Sequence, residues 1–250
     1  MPLSKGRIRG EILLVLGVSL GVSSVYAIIN LIDFSTRKTS LSHQSVGLNN
    51  SLSDRQVFDF IYQFLGIAVD LVPVVLVCYI LWQTTTPHLA RLGVDFRKPW
   101  QDLGVGAVLA LVIGGGGIGV YLLARAVNLA VNISADNLPP YWWAVPILLL
   151  SALRAALQEE FIVIGYLYAR LRELGFRKWS VILGAAAFRG SYHLYQGYGG
   201  FVGNFIMGVI FGWLYYRYGR LLPFVVAHFL IDAATFVGYG WAKATFPGLF

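Results

Sequence analysis

Two adjacent acidic residues, Glu159 and Glu160, lie inside an apolar stretch that covers residues 142–169. A charged side chain at the middle of a membrane costs about 2.5–3.5 kcal/mol on insertion scales, so it is a functional candidate that needs a partner. Two carboxylates in a water-poor cavity can activate a water molecule, either directly as a general base or on a bound metal ion. The chemistry of the pair therefore depends on which groups elsewhere in the chain approach it.

Two further pairs of ionisable residues lie in the apolar second half of the chain. Arg189 and His193 are four residues apart, as are His228 and Asp232, so each pair lies on one face of its predicted helix. At a rise of 1.5 Å per residue, Glu160, His193 and His228 lie about 15, 22 and 12 Å from the charged ends of their helices. A Glu pair alone could be a structural salt bridge, and a single His could be a packing residue. Together, the three groups predict one buried site built from three helices.

The composition indicates a polytopic membrane protein. The chain is 57% hydrophobic and only 12% charged, with a mean hydropathy of +0.68. The net charge of +7 comes from Lys and Arg clusters between apolar runs, which is typical of topology signals and not of a nucleic-acid surface. Cys78 is the single cysteine, which excludes an intrachain disulfide and a cysteine metal site.

Seven apolar segments predict an all-α fold with about seven transmembrane helices. We expect residues 1–142 to form helices and loops without a motif, and residues 143–242 to form the core that carries the site. The polar segment 35–54 is predicted to be a flexible loop. The first apolar run is longer than the core of a signal peptide, which favours an uncleaved anchor. The predicted helices cover residues 11–33, 57–82, 102–131, 143–171, 179–195, 201–217 and 221–242.

The distribution of basic residues predicts the orientation of these helices. If the N-terminus lies inside, twelve Lys and Arg residues fall on the inner side and four on the outer side. Because short cytoplasmic loops carry an excess of Lys and Arg, we expect a cytoplasmic N-terminus in a bacterial-type cell membrane. The lipid bilayer is then the immediate surrounding of the protein.

The motifs in the second half of the chain resemble those of the CPBP (CAAX protease and bacteriocin-processing, or Abi) family of intramembrane endopeptidases. The family's first motif, Glu-Glu-x-x-x-Arg, is matched by Glu159-Glu160, with Ile164 in place of Arg. Its second motif, Phe-x-x-x-His, is matched by His193, with Arg189 in place of Phe. Its third motif, His-x-x-x-Asn/Asp, is matched in full by residues 228–232.

The two departures from the family motifs are reciprocal, since one Arg is absent from one helix and another is present on the next. We hypothesise that Arg189 takes over the charge role of the absent Arg and pairs with Glu159 across the helices. This hypothesis requires the guanidinium to lie close to the carboxylates, because charge pairing falls off with distance.

The resemblance implies hydrolysis of a peptide bond in a peptide or protein substrate at the membrane. By analogy with the family, Glu160 and His193 would activate the water, while His228 and Asp232 would stabilise the oxyanion or complete a metal site. Two His and one carboxylate would suit Zn²⁺, with Glu160, His193 and His228 as ligands. A metal-free reaction with glutamate as base remains equally open.

Two other functions use the same residues. A non-proteolytic scaffold, immunity or partner-binding protein could keep both the fold and the polar cluster. A proton-coupled transporter also needs buried acids, but the sequence contains no visible inverted repeat or pair of broken helices, which are typical of transporters.

Overall fold

The computed structural model describes residues 3–246, of which most are helical. Ten α-helices lie in this part of the chain, and a short parallel β-sheet accompanies them. The helices are α1 (Lys5–Gly17), α2 (Leu20–Thr36), α3 (Gln56–Asp70), α4 (Val72–Leu81), α5 (Pro99–Ala126), α6 (Ala144–Glu159), α7 (Tyr168–Glu173), α8 (Lys178–Ser191), α9 (Tyr198–Tyr218) and α10 (Leu222–Thr245).

Four helical segments in residues 3–246 are long and apolar enough to cross a membrane: Gln56–Leu81, Pro99–Ala126, Tyr198–Tyr218 and Leu222–Thr245. A fifth is obtained if α1 and α2, which meet at a bend of 58°, count as one span. A polytopic membrane protein is therefore supported, but the predicted count of seven helices is not.

Two predicted helices are not among these spans. The segment predicted at 143–171 is helical without a gap, as α6, a π-helical segment at Glu160–Leu167, and α7. The segment predicted at 179–195 contains α8, which has only 14 residues and ends at Ser191. A helix of this length spans about 21 Å, which is less than the ~30 Å hydrocarbon layer.

The polar segment that was predicted to be a flexible loop contains an ordered strand, which corrects that expectation. Strand β1 (Ser45–Asn50) pairs in parallel with strand β2 (Asn132–Asn137). Side-chain amides reinforce the backbone pairing: Asn49 Nδ2 donates to the Ala135 carbonyl at 2.8 Å, and Asn137 Nδ2 donates to Asn50 Oδ1 at 3.0 Å. The fold is thus helical with one small sheet, and we call the end of the helix bundle that carries this sheet the sheet end.

The sheet end also holds the loop that follows α8. The backbone of Ala130 forms an antiparallel bridge with Gly197, and Val131 N–H donates to the Gln196 carbonyl. Non-helical backbone at membrane depth is tolerated only where its polar groups are paired or face water. These bonds supply the pairing, and they hold the loop in place over the ends of the helices.

The first part of the chain packs directly on the core. Glu11 of α1 accepts hydrogen bonds from Arg170 Nε at 2.7 Å and from the Tyr166 hydroxyl at 2.9 Å. Further along, the Ser191 hydroxyl donates to Ser24 Oγ of α2 at 2.9 Å. The N-terminal helices are therefore part of the same packed structure as the segment that carries the motifs.

An ionic cluster ties together the opposite end of the bundle. Arg220, which lies between α9 and α10, donates to Asp102 of α5 at 2.6–2.7 Å and to Asp95 at 3.1–3.2 Å. The backbone N–H of Arg97 and the Arg220 guanidinium hold the pKa of the Asp95 carboxyl below its ordinary value. The cluster fixes the loop before α5 against the start of α10.

Candidate active site

The candidate site lies where three helices meet beneath the sheet end. The end of α6 and the start of the π-helical segment carry two carboxylates, α8 and the loop after it carry a guanidinium and an imidazole, and α10 carries an imidazole and a carboxylate. These residues are Glu159, Glu160, Arg189, His193, His228 and Asp232.

Arg189 lies at the centre of this cluster, and its side chain has no exposed surface. Its Nη1 donates to Glu160 Oε1 at 2.8 Å, and its Nη2 lies 3.2 Å from Glu159 Oε2. Arg189 thus contacts both carboxylates, with the shorter contact to Glu160. A buried charge is tolerated when it is paired and hydrogen-bonded, and here one guanidinium neutralises much of the charge of two acids.

The π-helical segment explains how two neighbouring acids reach one guanidinium. Adjacent residues of an α-helix point about 100° apart, so in a regular α-helix only one of the two carboxylates would face the centre. The helix type changes between Glu159, the last residue of α6, and Glu160, the first residue of the π-helical segment. Single π-helical turns inside α-helices occur frequently at functional sites.

His228 lies between two carboxylates. Its Nδ1 lies 2.9 Å from Glu160 Oε1, where it can donate a hydrogen bond, and its Nε2 lies 3.4 Å from Asp232 Oδ2. Glu160 Oε1 therefore contacts both Arg189 and His228, and the side chain is fully buried. The second carboxylate oxygen, Oε2, is buried and forms no hydrogen bond within the described residues.

Glu159 has a different environment from Glu160. Its Oε2 atom lies 3.6 Å from His193 Nε2 and accepts a hydrogen bond from the Tyr192 hydroxyl at 2.9 Å. Within the described residues, neither ring nitrogen of His193 forms a hydrogen bond, although both are buried. Buried polar atoms are normally satisfied, so the two nitrogens indicate a position for a water molecule or a substrate.

The structure places Glu159, and not Glu160, beside His193. The sequence assigned water activation to Glu160 together with His193, whereas the carboxylate that faces His193 is that of Glu159. Because the two residues are adjacent, the spacing of the motif cannot distinguish them. Their partners in the folded chain do.

The arrangement does not fit the zinc site that the sequence suggested from Glu160, His193 and His228. In the described part of the chain, no group of three or more His, Cys, Asp or Glu side chains is arranged to hold a metal ion. The guanidinium of Arg189 contacts Glu160 and also lies 3.2 Å from His228 Nδ1, and His193 is directed to Glu159. A second cation beside Arg189 would be repelled, so we derive no step through a metal.

Tyr192 is a site residue that sequence reasoning missed. It is buried, its hydroxyl donates to Glu159, and its ring lies 4.9 Å from the ring of His193. An edge-on contact with Phe188 at 5.6 Å fixes the ring from the other side. The available signal was its position immediately before His193, three residues after Arg189, which is one helical turn.

The fold and the site together define a class: a polytopic helical membrane protein with a buried centre of carboxylates and imidazoles around an arginine. Residues 141–234 match the family described as "Type II CAAX prenyl endopeptidase Rce1-like". The match over this segment supports membership of the CPBP/CAAX protease family. No curated protein and no solved structure gives a significant match.

Proposed function

We propose that the protein is an intramembrane endopeptidase in which Glu159 and His193 activate the water that hydrolyses a peptide bond. The observation that carries the proposal is the approach of Glu159 Oε2 to His193 Nε2 at 3.6 Å. Neither ring nitrogen of His193 forms a hydrogen bond within the described residues. General-base hydrolysis needs a carboxylate and an imidazole that can still accept or donate hydrogen bonds.

The proposed reaction starts with a water molecule bound beside Glu159 and His193. The contacts described above with Arg189, Tyr192 and His193 all involve Glu159 Oε2, and no hydrogen bond from residues 3–246 reaches Oε1. Oε1 takes a proton from the water as the water oxygen attacks the scissile carbonyl carbon. The carboxyl group then returns this proton to the leaving nitrogen as the C–N bond breaks.

His228 and Asp232 are proposed to act on the opposite side of the scissile carbonyl. The carboxylate of Asp232 faces Nε2 of His228, so this nitrogen can carry a proton and donate it in a hydrogen bond. The Nε2 contact with Asp232 is long, at 3.4 Å, which leaves Nε2–H able to donate to the developing oxyanion. Asp232 would then orient the imidazole for this task.

Arg189 and Glu160 are proposed to hold the reacting groups in place without touching the substrate. Arg189 provides positive charge within 3.2 Å of both glutamates, and Glu160 accepts from Nδ1 of His228. The reaction proposed here needs no metal ion, because the charge at the centre comes from the guanidinium. This is a proposal that chelation experiments test directly.

The proposed substrate is a peptide or protein segment at the membrane. The description of the matched family names prenylated CAAX substrates, so a prenylated C-terminal peptide is the first substrate to test. On the predicted seven-helix arrangement, twelve basic residues lie on one side and four on the other, and on this basis we propose a cytoplasmic N-terminus in a bacterial-type membrane.

The test is cleavage by the protein reconstituted in lipid vesicles, with comparative proteomics of membranes to find native substrates. Glu159→Gln and His193→Ala should each abolish cleavage while the protein remains folded. Glu173→Gln is the matched control, because Glu173 pairs with Arg170 outside the site. Cleavage that persists in the Glu159→Gln variant would refute the proposal.

A non-proteolytic scaffold is the second candidate, and the contacts of Glu160 Oε1 with both Arg189 and His228 favour it. A cluster of this kind can be retained for packing alone. Unchanged biological function in both the Glu159→Gln and His193→Ala variants would support the scaffold and exclude the protease.

A further inference from the structure

An ion pair outside the catalytic cluster lies near the middle of the membrane. Asp70 is 14 residues from the start and 11 residues from the end of the apolar segment Gln56–Leu81. These separations correspond to about 21 Å and 17 Å of helix. Arg154 Nη1 of α6 lies 3.5 Å from Asp70 Oδ2, and the Asp70 side chain is 51% exposed.

The pair lies where the apolar segment is interrupted. Helix α3 ends at Asp70, and α4 begins at Val72, with Leu71 between them and a proline at position 73. A proline has no backbone N–H to donate, and polar groups at membrane depth are found where they are covered by protein or line a water-filled cavity.

Arg154 connects this interruption to the catalytic cluster. Its Nη1 lies 3.4 Å from Gln158 Oε1, and Gln158 directly precedes Glu159. Polar contacts therefore lead from Asp70 through Arg154 to Gln158, the residue next to Glu159.

An exposed ion pair in hydrocarbon is unfavourable, and ionisable residues in membrane segments almost always face the bundle interior or water. Arg154 also has a buried Nε that forms no hydrogen bond within the described residues. Water can readily form hydrogen bonds with a half-exposed carboxylate and with a guanidinium N–H that has no partner at the same depth.

We propose that Asp70 and Arg154 line a water-filled entry that runs from the break between α3 and α4 along α6 to the catalytic cluster. Through it, the hydrolytic water reaches Glu159 and His193 from the membrane-embedded side. The role of the entry in supplying the hydrolytic water rests on the proposed function. The existence of the entry can be tested by water accessibility alone.

The chain suits a test by cysteine accessibility, because Cys78 is its single cysteine and Cys78→Ser gives a cysteine-free background. Gly66 lies one turn before Asp70 on the same face of α3, and a side chain added there meets nothing within 4 Å. Gly66→Cys therefore reports on the entry while it leaves the ion pair intact. Leu65→Cys is the control, since Leu65 is equally exposed at the same depth on a different face.

The variants are placed in vesicles with a charged, lipid-insoluble thiol reagent on both sides of the membrane. We expect Gly66→Cys and Asp70→Cys to react about tenfold faster than Leu65→Cys, because the thiolate that reacts forms readily only in a polar environment. Equal, slow reaction at the three positions would overturn the proposal. So would oxidative dimerisation through Gly66→Cys, since a second copy would then cover this face.

Cleavage assays separate this inference from the proposed function. Fast labelling of the entry positions without cleavage would support the water-filled entry and contradict the proposed protease function. Cleavage without a difference in labelling would support the protease function and contradict the entry.

Discussion

The guanidinium of Arg189 donates to the carboxylate of Glu160 at 2.8 Å, and neither side chain has any exposed surface. The two residues are 29 positions apart and belong to different helical segments. This bond joins the segment after α6 to α8, so both the stability of the cluster and the position of Glu159 depend on it.

Replacement of Arg189 by Phe should strongly destabilise the protein. The substitution leaves two buried carboxylates without their counter-charge, and breaking a buried ion pair typically costs about 3–5 kcal/mol. Denaturant unfolding in detergent micelles measures the loss. The matched control is Arg125→Phe, which removes an Arg outside the cluster.

A second substitution should recover part of this loss. The family motif has Arg at the position of Ile164, which is buried in the π-helical segment. If the two departures are reciprocal, Ile164→Arg combined with Arg189→Phe returns the cation to the cluster from the other helix. A double variant that is less stable than Arg189→Phe alone would disprove the reciprocal relationship.

Glu160→Gln and Glu159→Gln should have opposite effects on stability and catalysis. Glu160→Gln removes the charge that Arg189 and His228 share, so we expect a loss of about 3–5 kcal/mol in unfolding free energy. Glu159→Gln should abolish cleavage and change stability much less, because Glu160 still pairs with Arg189. Unfolding and cleavage measured on the same preparations distinguish the two roles; the reverse pattern would return the catalytic assignment to Glu160.

Tyr192→Phe tests the role of the hydroxyl that donates to Glu159 at 2.9 Å. A hydrogen bond to a charged group contributes about 1.5–3 kcal/mol, so we expect kcat to fall at least about tenfold. KM should stay unchanged, because the hydroxyl contacts the base and not the substrate. The control is Tyr195→Phe, which removes a neighbouring hydroxyl and leaves the bond from Tyr192 to Glu159 intact. An equal fall of kcat in both variants would argue for a packing role.

Chelators should leave cleavage unchanged. Arg189 already places a cation between the two glutamates, and the described residues hold no set of three metal ligands. Treatment with EDTA or phenanthroline, followed by the vesicle cleavage assay, measures the effect. Loss of activity that Zn²⁺ restores would contradict the assignment.

The ionic cluster opposite the sheet end should make stability dependent on pH. The pKa of Asp95 is lowered in the folded protein by the Arg97 backbone N–H and by Arg220. A carboxyl with a lowered pKa stabilises the fold above its unfolded pKa, and this contribution is lost as the pH falls through the folded pKa. The difference in unfolding free energy between wild type and Asp95→Asn should thus be constant near pH 7 and decline below about pH 4. A difference that does not vary with pH would exclude the ionic contribution.

The sequence by itself determined the membrane class and the residues of the cluster. Buried charges are rare in apolar segments, so Glu159, Glu160, His228 and Asp232 stood out without any structure. The reciprocal positions of Ile164 and Arg189 also directed attention to a displaced counter-charge, and the guanidinium does lie against both carboxylates. Composition and local spacing contain this information, because the cost of burying a charge applies wherever the chain folds.

Only the tertiary structure decided which glutamate faces His193, because adjacent residues share one motif and differ only in their partners. It also decided the pairing of β1 with β2, whose paired residues lie 87 positions apart in strands without an apolar pattern. The end of α8 at Ser191 and the contact between Asp70 and Arg154 likewise depend on neighbours that are distant in the chain. Long-range packing sets these features, and no local pattern in the sequence records it.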